Sequence, residues 1–415
     1  MELITTKSEI SCPITKNLLM KYTFIGLCIL VAISSLSFGV TAILISVISV
    51  VVAVASDALF AIVSRKSLNT VSAAVCGLIV ALSYSLGLPY TVSYNVPTMK
   101  GYTQYLFPAL IAAVAVILFK RLQGLLGRKY VNPAAAAKLL VLAFLWNVTL
   151  IPSDHRIDLL SPIKFESYLQ MCYSYNAPFK DPILTLTVLK NHGWIGGSSS
   201  LAVVVIGLTL VLLCRRYIKW RITLATLVTI AVISSCVAII NGGNLLLRVA
   251  FHLFVGSVIF LAFFMATDPA TTPITHTGQL IFGVGLGFLT VIFQLYLSFL
   301  GGSILALVIM NLVTPWLDKI GLPKPSEERL VKKLPKARKF KHTETFDCMR
   351  CGVCIEVCSA NLSPVLIKEA VERGSMEMTK ALRADLCTGC GYCSFVCPSR
   401  IDLKSIVQSG KSKIT

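Results

Sequence analysis

Apolar positions in this chain come in long blocks rather than at helical or strand spacing, and short polar or basic loops separate them. A bilayer-crossing helix needs about 18–20 apolar residues. By that measure ten blocks qualify: Tyr22–Phe38, Val40–Val63, Thr70–Leu86, Gln104–Lys120, Asn132–Ile151, Ser198–Cys214, Ile222–Ile240, Leu245–Thr267, Gln279–Leu300 and Ile304–Trp316. The last is short and the third and fourth are interrupted by polar residues, so the pattern predicts nine or ten spans. One polar segment between blocks is long, from Pro152 to Gly197. Its length and mixed polarity mark it as a functional element on the outer side.

Composition agrees with the blocks. Hydrophobic residues make up 55% of the 415 and charged residues 14%, with a mean hydropathy of +0.78, which calls for membrane spans rather than a soluble core. The net charge of +19 would suit a nucleic-acid binder, but its placement argues otherwise. Alternate loops carry Lys7, Lys16 and Lys21; Arg65 and Lys66; Lys120, Arg121, Arg128 and Lys129; and Arg215, Arg216, Lys219 and Arg221. Short loops on the other side carry little beyond Lys100. Such asymmetry orients the basic loops to the cytoplasm and predicts cytoplasmic N- and C-termini in a multi-pass inner-membrane protein. Met1–Lys21 is polar and basic without a small-residue cleavage site, so it reads as a cytoplasmic tail rather than a leader.

Candidate chemistry begins after the last block. CMRCGVCIEVC spans Cys348–Cys358 and CTGCGYCSFVCP spans Cys387–Pro398, each with C-x2-C-x2-C-x3-C spacing. In that pattern the first three cysteines wrap one corner of a cubane and the fourth reaches the other cluster. The expected ligand sets are Cys348, Cys351, Cys354 and Cys397 for one [4Fe-4S] cluster, and Cys387, Cys390, Cys393 and Cys358 for the second. Zinc also uses C-x2-C pairs but stops at four ligands per site; two full copies of the cubane spacing favour iron–sulfur. The other six of the 14 cysteines are scattered, mostly in apolar segments, where Cys acts as a small hydrophobe. A reducing compartment fits. Between spans and cysteines lies a basic, proline-marked linker, residues 319–343, which suits either anionic lipid headgroups or an acidic electron-carrying partner.

Within the apolar region a few polar residues need a partner or a role. Asn132 and Pro133 read as a helix start, followed by four alanines that allow close approach of a helix or a planar ring. Asp268 and Thr271 sit in ATDPATTPIT, a stiff polar turn at a helix end that serves either as capping or as a cofactor or ion site. Arg248 and His252 lie four apart on one helical face; Asp57 and Lys138 lie toward the inner side.

Taken together, NPAA at Asn132, MATDPATTPIT with GQLIFGVGLGFLT after it, and LALVIMN before Pro315 and Asp318 resemble the RnfD/NqrB membrane flavin subunits of ion-translocating Rnf and Na+-pumping NADH:quinone reductase complexes. The cysteine domain resembles the two-cluster ferredoxin module of the RnfC subunit. The resemblance implies a fusion of the two, with about ten transmembrane helices in two similar five-helix halves and a flavin in the membrane. It also implies FMN esterified to the threonine of a D-x-x-S-G-A-T motif. Here the matching place is DPILTLT, so Asp181 and Thr187 stand in register while Leu184, Thr185 and Leu186 replace the small residues that let a flavin transferase approach. Riboflavin is the alternative flavin. Asn132, Thr187, Arg248, Asp268 and Thr271 are the candidate flavin residues, with Arg248 as a bidentate phosphate partner.

The expected fold is therefore a polytopic α-helical membrane protein with a C-terminal α+β bacterial-type 2[4Fe-4S] ferredoxin domain. Its divisions are a tail at 1–21, a transmembrane flavin domain at 22–318, a basic linker at 319–343 and a ferredoxin-like domain at 344–415. The expected function is an electron-relay subunit of an Rnf-like, ion-translocating oxidoreductase. Other subunits of the complex, a cytoplasmic oxidoreductase subunit or ferredoxin, and membrane lipid are the expected partners; nucleic acid is not. No G-x-G-x-x-G follows a strand, so another subunit should bind NAD. A docking anchor that has lost its flavin site, or a subunit reducing a quinone-type carrier, are the competing readings.

Overall fold

A computed structural model describes residues 15–64, 70–86, 103–123, 128–141, 170, 180–191, 193–255, 258–296, 301–326 and 346–414. The N-terminal tail up to residue 14, most of the 152–179 stretch, the end of the fifth expected span and the basic linker from residue 327 on lie outside the described residues.

The described chain is helical, and no strand forms in it; a single bridge pairs Ser85 with Trp194. Helix α1 (Lys16–Phe38) starts inside the stretch expected as tail, because the Thr15 side chain caps the Leu18 amide. It is followed by α2 (Val40–Ser64), α3 (Thr70–Ser83) and α4 (Thr103–Val114), which continues in π-helical geometry through Ala115–Leu122. Then come α5 (Pro133–Lys138), α6 (Pro182–Thr187), α7 (Ser200–Leu213) and α8 (Trp220–Asn241). Helices α9 (Leu245–Val255) and α10 (Val258–Met265) form a pair bent by 58°, the geometry of a broken span or a re-entrant loop, and α11 (His276–Tyr296) and α12 (Gly302–Leu317) complete the apolar set. By length and apolarity α1, α2, α4 with its continuation, α8 and α11 can each cross a membrane, and the bent pair makes a sixth if it is one span. The shorter α3, α7 and α12 have 14, 14 and 16 residues. Where residues are described the blocks fall on helices, but only five or six of these are long enough to cross, so the expected ten spans in two halves are not established, and the fifth block beyond residue 141 lies outside the described residues.

Burial is inverted relative to a soluble protein. Leu36, Val40, Ile62, Val63, Leu212, Ile239 and Ile240 are exposed, while Ser34, Ser49, Thr226, Thr290 and Asn311 are buried. That distribution belongs to a protein whose solvent is lipid. Close helix approach depends on small residues: a Cβ at Gly283 or Gly287 of α11 would lie 2.8 Å from the Ile222 or Thr226 carbonyl oxygen of α8. The GVGLG stretch is therefore a packing stripe. Asp57, buried in α2, accepts from Arg121 at both carboxylate oxygens (2.8 and 2.6 Å) and from Lys120 at 3.3 Å. This triad ties α2 to α4 and accounts for Asp57 as a structural residue. Lys138 donates to the Ser83 carbonyl and lies 4.1 Å over the Trp194 ring.

The cysteine domain repeats itself at an interval of 39 residues, Cys348 to Cys387. Short helices α13 (Val353–Glu356) and α16 (Tyr392–Phe395) follow the first two cysteines of each motif, and longer helices α14 (Pro364–Glu372) and α17 (Leu403–Ile414) follow the last. Backbone conformations repeat too: φ is positive at Arg350 and Gly389, at Gly352 and Gly391, and at Asn361 and Arg400. An extra helix, α15 (Met376–Ala381), fills the gap between repeats. The α+β expectation is corrected here, since this domain holds helices and turns only among the described residues. One backbone bond joins the Phe346 amide to the Ser399 carbonyl at 2.9 Å, and Ile367 of α14 and Val407 of α17 pack with Ala360, Leu362 and Ala384 in the core.

Candidate iron–sulfur and flavin sites

Two small cavities in the C-terminal domain are walled by cysteines. One is lined by Cys348, Cys351, Cys354 and Cys397 with apolar Met349, Val365, Val396 and Leu403. The other is lined by Cys358, Cys387, Cys390 and Cys393 with Leu362, Pro364 and Val407. Each cavity thus draws three cysteines from one motif and the fourth from the other, because α13 and α16 turn the chain so that the last cysteine points across the repeat. Among the described residues no three Cys, His, Asp or Glu side chains converge tightly enough for a single metal ion. Four cysteines line each cavity, the ligand count of a [4Fe-4S] cluster.

The surroundings suit sulfur ligands. The Arg350 amide donates to Cys348 Sγ at 3.5 Å and the Leu362 amide to Cys358 Sγ at 3.3 Å, the kind of contact that tunes cluster potentials. Burial pushes the Cys351 and Cys393 thiols up to about 12 and Cys354 well above its ordinary value. Metal binding must therefore displace protons that these thiols otherwise hold.

The two cavities differ in their neighbours. The first faces the helical domain: Met349 and Val353 pack with Leu19, Cys214 and Tyr217, and Ile274 packs with Cys354, Val365 and Leu403. Polar contacts reinforce this seam. Asp318, at the end of α12, accepts from Arg350 at 2.6 Å and from Arg128 at 2.8 Å, and its other oxygen accepts from the Ile274 amide at 3.0 Å. Arg350 also pairs with Glu369. The Lys16 ammonium donates to the Asp347 carbonyl at 2.8 Å, and its amide donates to the Pro398 carbonyl at 3.0 Å. The second cavity is lined only by residues of the C-terminal domain. No sequence signal flagged Arg350, Arg128 or Asp318 as a group; Asp318 had appeared only as part of a family motif.

The candidate flavin residues fall into two groups. Asn132 caps α5, accepting from the Ala134 and Ala135 amides at 3.1 and 3.2 Å, and donates to the Met265 carbonyl at 3.0 Å. The Asp268 amide also donates to Met265, at 3.4 Å. Asp268 accepts from the Ala270 amide and the Thr271 hydroxyl at 3.2 and 3.3 Å. Asn132, Asp268 and Thr271 therefore gather at the Met265 end of the bent crossing. Arg248, buried in α9, lies near its other end, and Thr187 belongs to α6, which packs against α9. The Thr187 hydroxyl turns back on its own helix, donating to the Ile183 and Leu184 carbonyls at 2.8 and 3.3 Å. His252, one turn from Arg248, meets Gln294 at 2.9 Å.

Fold and site together define a polytopic membrane protein that carries a cysteine-rich electron-transfer domain. Residues 4–327 match the model of the NQR2, RnfD, RnfE family, and residues 347–401 match the 4Fe-4S dicluster domain. The chain belongs to the NQR2, RnfD, RnfE family and bears a 4Fe-4S dicluster domain. It is similar to the D subunit of the Na+-translocating ferredoxin:NAD+ oxidoreductase complex of Acetobacterium woodii, 28% identical over 307 residues, covering 72% of this chain and 87% of that protein. The D subunit of the proton-translocating ferredoxin:NAD+ oxidoreductase complex of Clostridium ljungdahlii is 28% identical over 232 residues, 52% of this chain and 66% of that protein. The B subunit of the Na+-translocating NADH-quinone reductase of Ectopseudomonas mendocina is 33% identical over 145 residues, 34% of this chain and 36% of that protein.

Proposed function

We propose that the chain is an electron-relay subunit of an Rnf-like, ion-translocating membrane oxidoreductase. In this reading Cys348, Cys351, Cys354 and Cys397 hold the cluster nearer the membrane, and Cys387, Cys390, Cys393 and Cys358 hold the outer one. The observation that carries it is the seam around Arg350 and Asp318, which packs the first cysteine cavity onto the helical domain, while the second is lined by the C-terminal domain alone. Iron–sulfur clusters supply one-electron chemistry; the chain's own residues bury them, donate amide hydrogen bonds to their sulfurs and fix their distance from the membrane. The proposed order is a cytoplasmic subunit or ferredoxin, the outer cluster, the inner cluster, and FMN or riboflavin in the helical domain. The alternation of basic loops supports cytoplasmic termini in the inner membrane, and the family supports coupling to Na+ or H+ movement.

Purified full chain should contain about eight iron and eight sulfide, as two [4Fe-4S] clusters require, together with extractable flavin. Loss of one cluster signal in a Cys397→Ser variant, with the other retained, tests the ligand sets. Equal loss of both would count against them. If Thr187 carries the flavin, its fluorescence in a denaturing gel disappears in Thr187→Ala.

A second reading, an anchor that docks an electron-transfer complex and has lost its flavin, draws on one observation. The Thr187 hydroxyl is engaged by its own helix, and Leu184 and Leu186 stand where small residues would admit a transferase. Iron and sulfide without flavin would select it.

A further inference from the structure

Beside the first cysteine cavity lies a larger one, of about 300 Å³, between the helical domain and α13. Its walls come from the turn that joins α7 to α8 (Arg215, Arg216, Lys219), from the first residues of α8, from α11, and from Cys351 and Glu356. Loop residues that the charge pattern explains as orientation signals therefore also line a concavity shared with a cysteine of the first motif.

The basic side chains divide by what they already do. Lys219 is buried and donates to the carbonyls of Pro269 and Thr272 at 2.9 and 2.8 Å and to the Thr272 hydroxyl at 3.0 Å. It braces the TDPATTP turn. Arg221 donates to His276 at 2.7 Å, and His276 lies 3.4 Å from Glu356. Arg215 and Arg216 are exposed, and neither has an ion-pair partner among the described residues. One carboxylate, Glu356, faces three guanidiniums, and the ring of Trp220 and Ile274 add apolar wall. Two exposed arginines without an ion-pair partner among the described residues, lining a cavity whose one carboxylate, Glu356, lies 3.4 Å from His276, have the chemistry of a phosphate site.

We propose that this cavity binds a phosphate-bearing ligand through Arg215 and Arg216, and that the bound anion sits beside the inner cluster and sets its potential. Cluster reduction adds negative charge, so an anion near Cys351 opposes it and moves the midpoint potential down. The outer cluster, whose cavity shares no residue with this one, stays unaffected. The phosphate comes either from a soluble ligand or from an anionic lipid headgroup at the membrane surface. The inference rests on the proposed inner cluster for its electrochemical part.

The test uses the full chain with its clusters in phosphatidylcholine nanodiscs. Redox titration followed by electron paramagnetic resonance is run in three conditions: no addition, added inorganic phosphate, and phosphatidylglycerol in the bilayer. One cluster should move to lower potential in at least one of the two supplemented conditions, while the other holds. A shift with inorganic phosphate identifies a soluble ligand's chemistry; a shift with phosphatidylglycerol alone identifies the lipid. The Arg215→Ala/Arg216→Ala variant should abolish the shift and weaken calorimetric phosphate or lipid binding about tenfold or more, whereas Arg215→Lys/Arg216→Lys should keep most of both. No shift in either supplemented condition, an equal shift of both clusters, or a shift that survives the double alanine variant overturns the proposal. If the chain holds no iron, the cluster reading fails instead, and the calorimetric comparison of the three proteins still decides whether the cavity binds phosphate.

Discussion

Removing the Asp318 carboxylate should loosen the C-terminal domain from the helical one without emptying its clusters. Asp318 makes three contacts, with Arg350, Arg128 and the Ile274 amide, at 2.6, 2.8 and 3.0 Å, and it is 2% exposed. Taking away one partner of a buried ion pair costs about 3–5 kcal/mol, because the other charge stays buried. In Asp318→Ala that cost divides between two places. Arg128 and Ile274 belong to the same domain as Asp318, so their share strains the helical domain in both the docked and the released state. Only the Arg350 contact crosses the seam, and Arg350 retains Glu369. The docking share is therefore that of one charge-assisted bond, about 1.5–3 kcal/mol, or a fall in docking equilibrium of roughly 10–150-fold. Hydrogen exchange of the 347–357 amides in nanodiscs measures it, with the cluster absorbance as a control that the domain stays folded. A double-mutant cycle with Arg350→Ala isolates the pair. Exchange that changes less than about twofold, or a coupling energy near zero, would refute the assignment of Asp318 as the latch and leave the apolar seam to do the holding.

Other expectations are more local. Gly352→Ala should cost about 1–2 kcal/mol for its left-handed backbone and also push a Cβ to 3.0 Å from the Ile274 carbonyl oxygen; lower iron retention on heating checks it. Asp57→Ala should destabilise the helical domain by about 3–5 kcal/mol by stranding Arg121 and Lys120, seen as a lower melting temperature with unchanged cluster spectra. Asp402 accepts from the Ser405 hydroxyl at 2.5 Å, from its amide at 3.2 Å and from the Ser394 hydroxyl at 3.1 Å, and the Ser405 bond foremost holds its carboxyl below the usual range. Its contribution is thus present above the ordinary carboxylate pKa and is lost as pH falls through the folded value. Asp402→Ala should speed exchange of the first α17 amides at neutral pH by about fivefold, for a cap worth about 1 kcal/mol.

What the sequence makes legible here follows from how local each signal is. Cubane spacing needs only a dozen residues, so both motifs could be read directly, and the 39-residue repeat explains why each fourth cysteine lines the opposite cavity. Apolar blocks likewise declare helices, and Asn132 before Pro133 declares a cap. The seam is different in kind. Arg350 and Asp318 are single charges in separate domains, joined across a linker, and nothing in either neighbourhood distinguishes them from solvated residues. The flavin candidates show a third case. Arg248 lies inside an apolar block, Asn132 at the head of one, Asp268 and Thr271 in the turn after one and Thr187 in the long polar segment, yet Asn132, Asp268 and Thr271 meet at one end of the Leu245–Met265 pair while Arg248 marks the other. Chain order sets Arg248 near the start of the Leu245–Thr267 block and Asp268 just past its end; what it does not give is that Asn132, from a separate block, joins the second group through the Met265 carbonyl.

That separation bears on how electrons could cross. The Met265 end is continuous with the TDPATTP turn, whose Thr272 is held by Lys219, and with Ile274 just after it, which packs on Cys354. The inner cysteine cavity is therefore tied to the Asn132–Asp268–Thr271 end of the crossing, and not to the end that carries Arg248. A flavin held only through Thr187 and Arg248 would stand a helix length away, since the 17 residues from Arg248 to Met265 rise by about 25 Å if straight, less for a bent pair. Transfer between that end and the inner cluster then needs a further redox group between them, supplied either by this chain's inner end or by a neighbouring subunit. The two arrangements separate in a freeze-quench experiment. Re-oxidation of the inner cluster faster than the outer flavin responds requires the intermediate group; simultaneous change of the two, in the isolated chain, would place the flavin at the Asn132 end instead.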